Sequence, residues 1–232
     1  AKLSSECVSL FCRVLEAVPN SRLVLKTYFG AGDDEARGDL QQLFVAQGIP
    51  AERIQVLEKR ESTVDHLAAY GEMDIALDTF PYNGTTTTCE ALWMGVPVVT
   101  LTGDRHAARV GASLLNNAWL GDLVAGSEDE FVAIAAELAS DSKRLADFRR
   151  ALRDHLRASR LFDRPAMGAD LGAALRGMWR SYCGSFPEGA PVEGGLREGK
   201  AELMRLHIGG KEARDGWKIL DAEQRDEVDF VG

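Results

Sequence analysis

Between Asp78 and Glu90 the sequence reads Asp-Thr-Phe-Pro-Tyr-Asn-Gly-Thr-Thr-Thr-Thr-Cys-Glu. A glycine and four consecutive threonines thus run from the loop after an apolar run of strand length, residues 74–78, into the first turn of a helical pattern that begins at Thr86. The start of a helix offers free backbone N–H groups and a partial positive charge, so a phosphate or pyrophosphate is its natural guest. Gly84 lets the backbone approach such a ligand closely, and the hydroxyls of Thr85, Thr86 and Thr87 add donors without adding charge. Glu90 falls about one turn inside the helix, where a carboxylate can accept from two vicinal hydroxyls, as on a ribose. Together these residues suit a nucleotide joined to something else through a diphosphate. The same pattern also serves as plain capping, because helix starts favour threonine and early-turn glutamate without any ligand.

Such a loop needs a frame that holds it at the end of a strand. Apolar runs of strand length alternate with helical patterns along the first 182 residues, which is the signature of a parallel sheet covered by helices. Strands are expected at 22–26, 53–57, 74–78, 96–101 and 123–125, and helices at 5–17, 33–47, 64–70, 86–94, 107–116, 130–138, 143–156 and 167–182. Val8, Phe11, Cys12 and Leu15 share one face of the first helix. Gly95 sits where a left-handed C-terminal cap belongs, and Ser127 with Glu130 three residues on forms a capping box. The expected class is α/β, a Rossmann-like parallel sheet with helices on both faces, extended by further helices. Residues 183–200 hold five glycines and two prolines and read as a flexible linker. Residues 201–232 are too few to bury a core of their own.

The composition narrows the functions available. The 232 residues carry 27 Lys and Arg against 36 Asp and Glu, a net charge of −9, which argues against a nucleic-acid partner held through its phosphates. No apolar run approaches the roughly 18 to 20 residues that span a bilayer, so no membrane partner is expected. The N-terminus has neither an initiator Met nor a signal-peptide core, which reads as a cytoplasmic chain that begins mid-protein. Cys7, Cys12, Cys89 and Cys183 form no Cys-x-x-Cys pair, and buried, reduced thiols are expected. Trp93, Trp119 and Trp179 read as core residues, and His106 and Arg109 as a structural pairing.

The run from Asp78 to Glu90, continued by Met94-Gly95-Val96-Pro97-Val98-Val99, resembles the donor-binding segment of the O-linked N-acetylglucosamine transferase family, which includes the SPINDLY-type proteins. The likeness extends from Lys2 to about Tyr182 and takes in Val18-Pro19-Asn20-Ser21, Arg109-Val110-Gly111-Ala112-Ser113 and Ser159-Arg160-Leu161-Phe162-Asp163. It implies a GT-B glycosyltransferase, in which two Rossmann-like lobes face each other, with residues 1–182 as the C-terminal lobe that holds the nucleotide sugar. By the resemblance, Lys2 falls on a lysine that contacts the donor phosphates and stabilises the leaving nucleotide, the one catalytic residue expected here. Gly84, Thr85, Thr86 and Thr87 fall on the pyrophosphate loop, with Asn83 in the same donor-binding set. Glu90 falls on an acidic residue at the ribose, and His66 on a histidine near the uridine.

The implied reaction transfers N-acetylglucosamine from UDP-N-acetylglucosamine to Ser/Thr hydroxyls of a protein. It needs no cofactor and no metal, since no Asp-x-Asp pair is present to hold a cation against a diphosphate. The acceptor lobe and the tetratricopeptide helices that recruit the protein acceptor would lie before Ala1, so this chain alone is expected to be inactive. Two positions depart from the family pattern. Thr85, as in bacterial relatives, stands where members close to the animal enzyme have a histidine, which leaves the sugar open; a same-family transferase with another donor such as GDP-fucose, or with an asparagine acceptor, is a further alternative. Thr63 stands where the family has a lysine, with Lys59 and Arg60 nearby. A non-catalytic α/β interaction module is the competing reading. In the tail, Leu206-His207-Ile208-Gly209-Gly210, Trp217-Lys218-Ile219-Leu220 and Val228-Asp229-Phe230-Val231 resemble the opening of a class I methyltransferase-type domain.

Overall fold

The computed structural model describes residues 3–26, 33–58, 60 and 62–184, together with the backbone of two later strands. Lys2, Lys59, most of the segment read as a linker and most of the tail lie outside the described residues. The chain divides into two compact units, Ala1–Arg176 and Gly177–Gly232.

In the first unit all strands run parallel. β1 (Leu23–Lys26) pairs with β2 (Ile54–Leu57), in a register that sets Leu23 beside Ile54 and Lys26 beside Leu57. β3 (Ala76–Leu77), β4 (Val98–Leu101) and β5 (Val124–Ala125) form a second ladder with β4 in the middle. Every residue of β4 is buried. A strand covered on both faces reads as a continuous apolar run, and Val98-Val99-Thr100-Leu101 is close to that. The helices α1 (Ser5–Ala17), α2 (Asp34–Val45), α3 (Thr63–Ala68), α4 (Thr86–Trp93), α5 (Val110–Asn117), α6 (Glu128–Ser140), α7 (Ser142–Ala158) and α8 (Arg164–Gly184) complete the chain order. Parallel neighbours require a crossover, and α2, α4 and α5 supply it between β1 and β2, β3 and β4, and β4 and β5.

Local chemistry sets the ends of these helices. Ser4 caps α1 by accepting from the Cys7 N–H, and Ser127 caps α6 through the Glu130 N–H. The Glu130 carboxylate then reaches back to the Gly126 N–H at 2.7 Å, one residue earlier than a capping box would place it. α4 ends in a Schellman motif: Gly95 sits at φ +80°, and the Val96 N–H bonds to the Ala91 carbonyl. α5 ends the same way with Trp119 at φ +57°, a left-handed residue without the freedom of glycine.

The core runs from α1, whose Val8, Phe11, Cys12 and Leu15 are buried, through β1, β4 and β5 to α6 and α7. Phe11 stacks on Phe131 of α6, with ring centroids 6.5 Å apart. Two expectations fail here. Trp119 is exposed and meets His155 edge-on, because its left-handed cap turns it out of the helix pattern. Cys89 is exposed as well, lying on the outer face of the short helix α4.

α7 works as a brace. Arg149 donates to the carbonyls of Tyr70, Met94 and Met73, while Gly95 packs so closely that a Cβ there would come within 2.9 Å of the Arg149 carbonyl oxygen. In the second unit, Trp179 and Tyr182 of α8 stack with centroids 5.9 Å apart, and Trp179 and Cys183 are exposed, again contrary to the reading as core. β6 (Arg205–Ile208) pairs in parallel with β7 (Trp217–Leu220). Among the described residues no helix is long and apolar enough to cross a membrane.

Candidate functional site

The loop from Asp78 to Thr85 leaves the carboxyl end of β3 and enters α4, and a buried network fixes its path. Asp78, almost fully buried, accepts from the Gly84 N–H at 2.7 Å and from the Thr100 hydroxyl at 2.8 Å. A buried carboxylate is costly unless it is hydrogen-bonded, and these two donors meet that need. Gly84 is required by close approach: a Cβ there would lie 2.6 Å from Oγ1 of both Thr87 and Thr88. Asn83 is buried too. Its Oδ1 accepts from the Gly111 N–H in the first turn of α5, and its Nδ2 donates to the Thr79 carbonyl. The Asn83 side chain therefore pins the loop to α5. The Phe80–Pro81 peptide is cis, and the Ser4 hydroxyl donates to the Phe80 carbonyl.

Beyond this network the surface opens. Thr85, Thr86 and Thr87 are exposed, and no side chain among the described residues caps the start of α4. The first N–H groups of a helix have no partner within it, so this end presents donors and a positive dipole outward. On the side toward α5 lies an open groove of about 640 Å³ lined by Thr85, Asp104, His106, Arg109, Ser113 and their neighbours. His106 and Arg109 are exposed in that groove.

On the other side, α3 delivers His66 and the turn after it delivers Tyr70. The spacing of four puts both on one helical face toward α4. His66 Nε2 lies 2.8 Å from Glu90 Oε2, and the Tyr70 hydroxyl donates to the same oxygen at 3.3 Å. The His66 and Glu90 side chains are 29% and 26% exposed, so the pair is reachable from solvent yet partly shielded. Lys26, the last residue of β1, reaches His66 Nδ1 from behind. Burial pushes the Lys26 ammonium below its usual pKa, while the Glu90 charge pulls it back up. Burial, then the Glu90 charge, pushes the Tyr70 phenol far above its usual value, so it stays a donor. Burial raises the Cys7 thiol, and partial desolvation of the Cys89 sulfur beside the Glu90 charge raises that of Cys89, which disfavours a nucleophilic role for either.

Of the residues singled out from sequence, His66, Gly84, Thr85, Thr86, Thr87 and Glu90 come together around the first turns of α4. Asn83 stands beneath them, and Lys2 lies outside the described residues. Sequence reasoning missed Asp78, Tyr70 and Lys26. The four-residue spacing from His66 pointed to Tyr70, whereas nothing local links Lys26 to a histidine forty positions on. Among the described residues no three His, Cys, Asp or Glu side chains come together as a metal site.

Open α/β sheets take ligands beyond the carboxyl ends of their strands, and the uncapped start of α4 stands there. Residues 1–171 match glycosyl transferase family 41, and the chain belongs to that family. Its relatives are of the SPINDLY and O-GlcNAc transferase type. It is 43% identical over 187 residues to a protein of Arabidopsis thaliana named as probable UDP-N-acetylglucosamine–peptide N-acetylglucosaminyltransferase SPINDLY, a match covering 79% of this chain and 20% of that one. It is 31% identical over 186 residues to the UDP-N-acetylglucosamine–peptide N-acetylglucosaminyltransferase of Caenorhabditis elegans, covering 80% of this chain and 16% of that one. Among solved structures, a mutant of the Thermobaculum terrenum O-GlcNAc transferase superposes with a TM-score of 0.70 at 39% identity, over 79% of this chain and 35% of that one. The chain thus spans about a fifth of the length of such curated relatives.

Proposed function

We propose that residues 1–182 form the donor-binding lobe of a protein O-glycosyltransferase that moves N-acetylglucosamine from UDP-N-acetylglucosamine to Ser/Thr hydroxyls. The observation that carries this reading is the uncapped start of α4, with three exposed threonines, set beside the half-buried Glu90 and His66. In this reading the diphosphate lies on the first turn of α4, held by the backbone of Gly84 and by Thr85, Thr86 and Thr87. Glu90 accepts from the ribose hydroxyls, and His66 lies against the nucleoside. Asn83 belongs to the donor-binding set through the loop that it holds. The names of the relatives support UDP-N-acetylglucosamine as donor and a peptide as acceptor.

In the reaction the acceptor hydroxyl attacks the anomeric carbon as the bond from that carbon to the diphosphate oxygen breaks. Negative charge gathers on the departing UDP, and preorganised donors that meet it lower the barrier by several kcal/mol. Lys2 is the proposed catalytic residue, supplying positive charge to that leaving group. Ser4, two residues along the chain from it, already bonds the Phe80 carbonyl of the same loop. The helix start supplies the remaining stabilisation, and this scheme assigns no step to a metal or other cofactor. The acceptor lobe and the tetratricopeptide region that recruits protein acceptors belong to the rest of the parent enzyme, placed in the cytoplasm, with neither membrane nor nucleic acid as partner.

The test is an NMR titration of the chain with UDP and, separately, with GDP, with Glu90→Ala as control. Shifts of the amides from Gly84 to Glu90 with UDP, lost in the variant, are expected. Preference for GDP would move the donor toward a GDP-sugar, consistent with Thr85 at the position of the family's histidine. A folded chain indifferent to both nucleotides would support an interaction module instead.

A further inference from the structure

The donor-site reading leaves the ammonium of Lys26 unused. Lys26 ends β1, stands half-buried, and places Nζ against His66 Nδ1. An ammonium has donors and no acceptor, so Nδ1 must be the accepting nitrogen and the ring proton must sit on Nε2. From Nε2 that proton points to Glu90 Oε2 across 2.8 Å. The Tyr70 hydroxyl donates to the same oxygen, leaving Oε1 with no partner among the described residues. Residues from β1, α3, the turn after it and α4 thus line up in one chain of donors that ends on a single carboxylate oxygen.

Resting on the donor-site reading, we propose that Lys26 is a positioning residue of the nucleotide site: by bonding Nδ1 it fixes the Nε2–H tautomer of His66, which holds Glu90 Oε2 in place and frees Oε1 for the ribose diol. Which nitrogen of a histidine carries the proton is set by the bond that the other one makes. The groups facing His66 are Lys26 from β1, Glu90 from α4 and Tyr70 from the following turn. Arg60 lies near Lys26, and Asp65, on the helix of His66 itself, is occupied by Ser62. Neutral or protonated, a ring whose Nδ1 is held in this way presents an N–H at Nε2 toward Glu90.

The experiment compares nucleotide affinity as a function of pH in the full chain, Lys26→Met and Lys26→Arg, alongside nitrogen NMR of the His66 ring without ligand. The wild type should show only the Nε2–H tautomer and a flat affinity from about pH 6 to about pH 8. In Lys26→Met the ring is free to place its proton on Nδ1, turning a bare nitrogen toward Glu90. Affinity should then fall about tenfold at the alkaline end and recover toward the acid end, where protonation restores the Nε2–H. Lys26→Arg keeps a donor at Nδ1 and should keep the flat profile. A Lys26→Met chain with wild-type affinity, wild-type pH profile and an unchanged tautomer overturns the role of Lys26 alone. A wild type that binds neither UDP nor GDP overturns the donor-site reading, and the role of Lys26 with it.

Discussion

On one flank of the loop before α4, Asp78, Asn83, Thr100 and Gly111 are buried and bonded to one another. On the other flank, Thr85, Thr86, Thr87, His66 and Glu90 are exposed or half-exposed, and the helix start has no cap among the described residues. Both flanks use the same stock of carboxylate, hydroxyl and amide groups. The closed flank turns them inward and so defines the backbone; the open flank leaves them to a ligand. A substitution on the first should therefore be felt as lost stability, and one on the second as lost affinity.

The sharpest break would come at Gly111. A Cβ there would lie 2.2 Å from Thr100 Oγ1 and 2.4 Å from Asp78 Oδ2, so Gly111→Ala must displace the buried network. Urea unfolding should show a loss of about 3 kcal/mol or more, or no folded protein at all. Next, Glu90→Ala should weaken UDP binding by more than about tenfold while lowering stability by only about 1 kcal/mol. Calorimetric titration beside a melting curve separates the two, and a large stability loss with unchanged affinity would erase the distinction between the flanks.

Tyr70→Phe tests the border between them, since Tyr70 is buried but bonds to the open-side Glu90 and to the Thr87 carbonyl. The expected cost is about 1 kcal/mol. Its raised pKa sets the sign of a pH effect. The unfolded phenol ionises near pH 10, so the Tyr70 contribution is whole below about pH 10 and is lost as pH rises beyond it. The alkaline fall in stability should be shallower in Tyr70→Phe. The smallest change is expected of Thr86→Ala: stability within about 0.5 kcal/mol of wild type, and UDP affinity reduced by about threefold.

The comparison also explains what could be read in advance. The bounds of α1, the left-handed Gly95 and the cap at Ser127 follow from local rules, and the structure reproduces them. β3 was expected over residues 74–78 and pairs over Ala76 and Leu77, with the Asp78 N–H still bonding the Val99 carbonyl, so the ladder is shortened mainly at its start, where Asp74 and Ile75 fall outside it. The open flank was largely legible, since its residues other than His66 crowd into one stretch between Gly84 and Glu90. The closed flank was not, because Asp78, Thr100 and Gly111 meet only through the crossovers of β3, β4 and α5. Lys26 and His66 likewise meet only when β1 and α3 pack side by side. Trp119 was misread because a left-handed helix end is marked by glycine, and here a tryptophan occupies it.

The bonds of Arg149 carry a consequence for where the chain can be cut. One guanidinium on α7 holds the carbonyl of Tyr70 and that of Met94, the residue closing the helix that bears Glu90. Both walls of the open flank are thereby surveyed from a single benchmark that contributes no atom to the flank itself. A shortened chain ending after α6 would retain every residue named in the site and lose the common reference between its walls, so the smallest portable unit is set by the helix that braces the site.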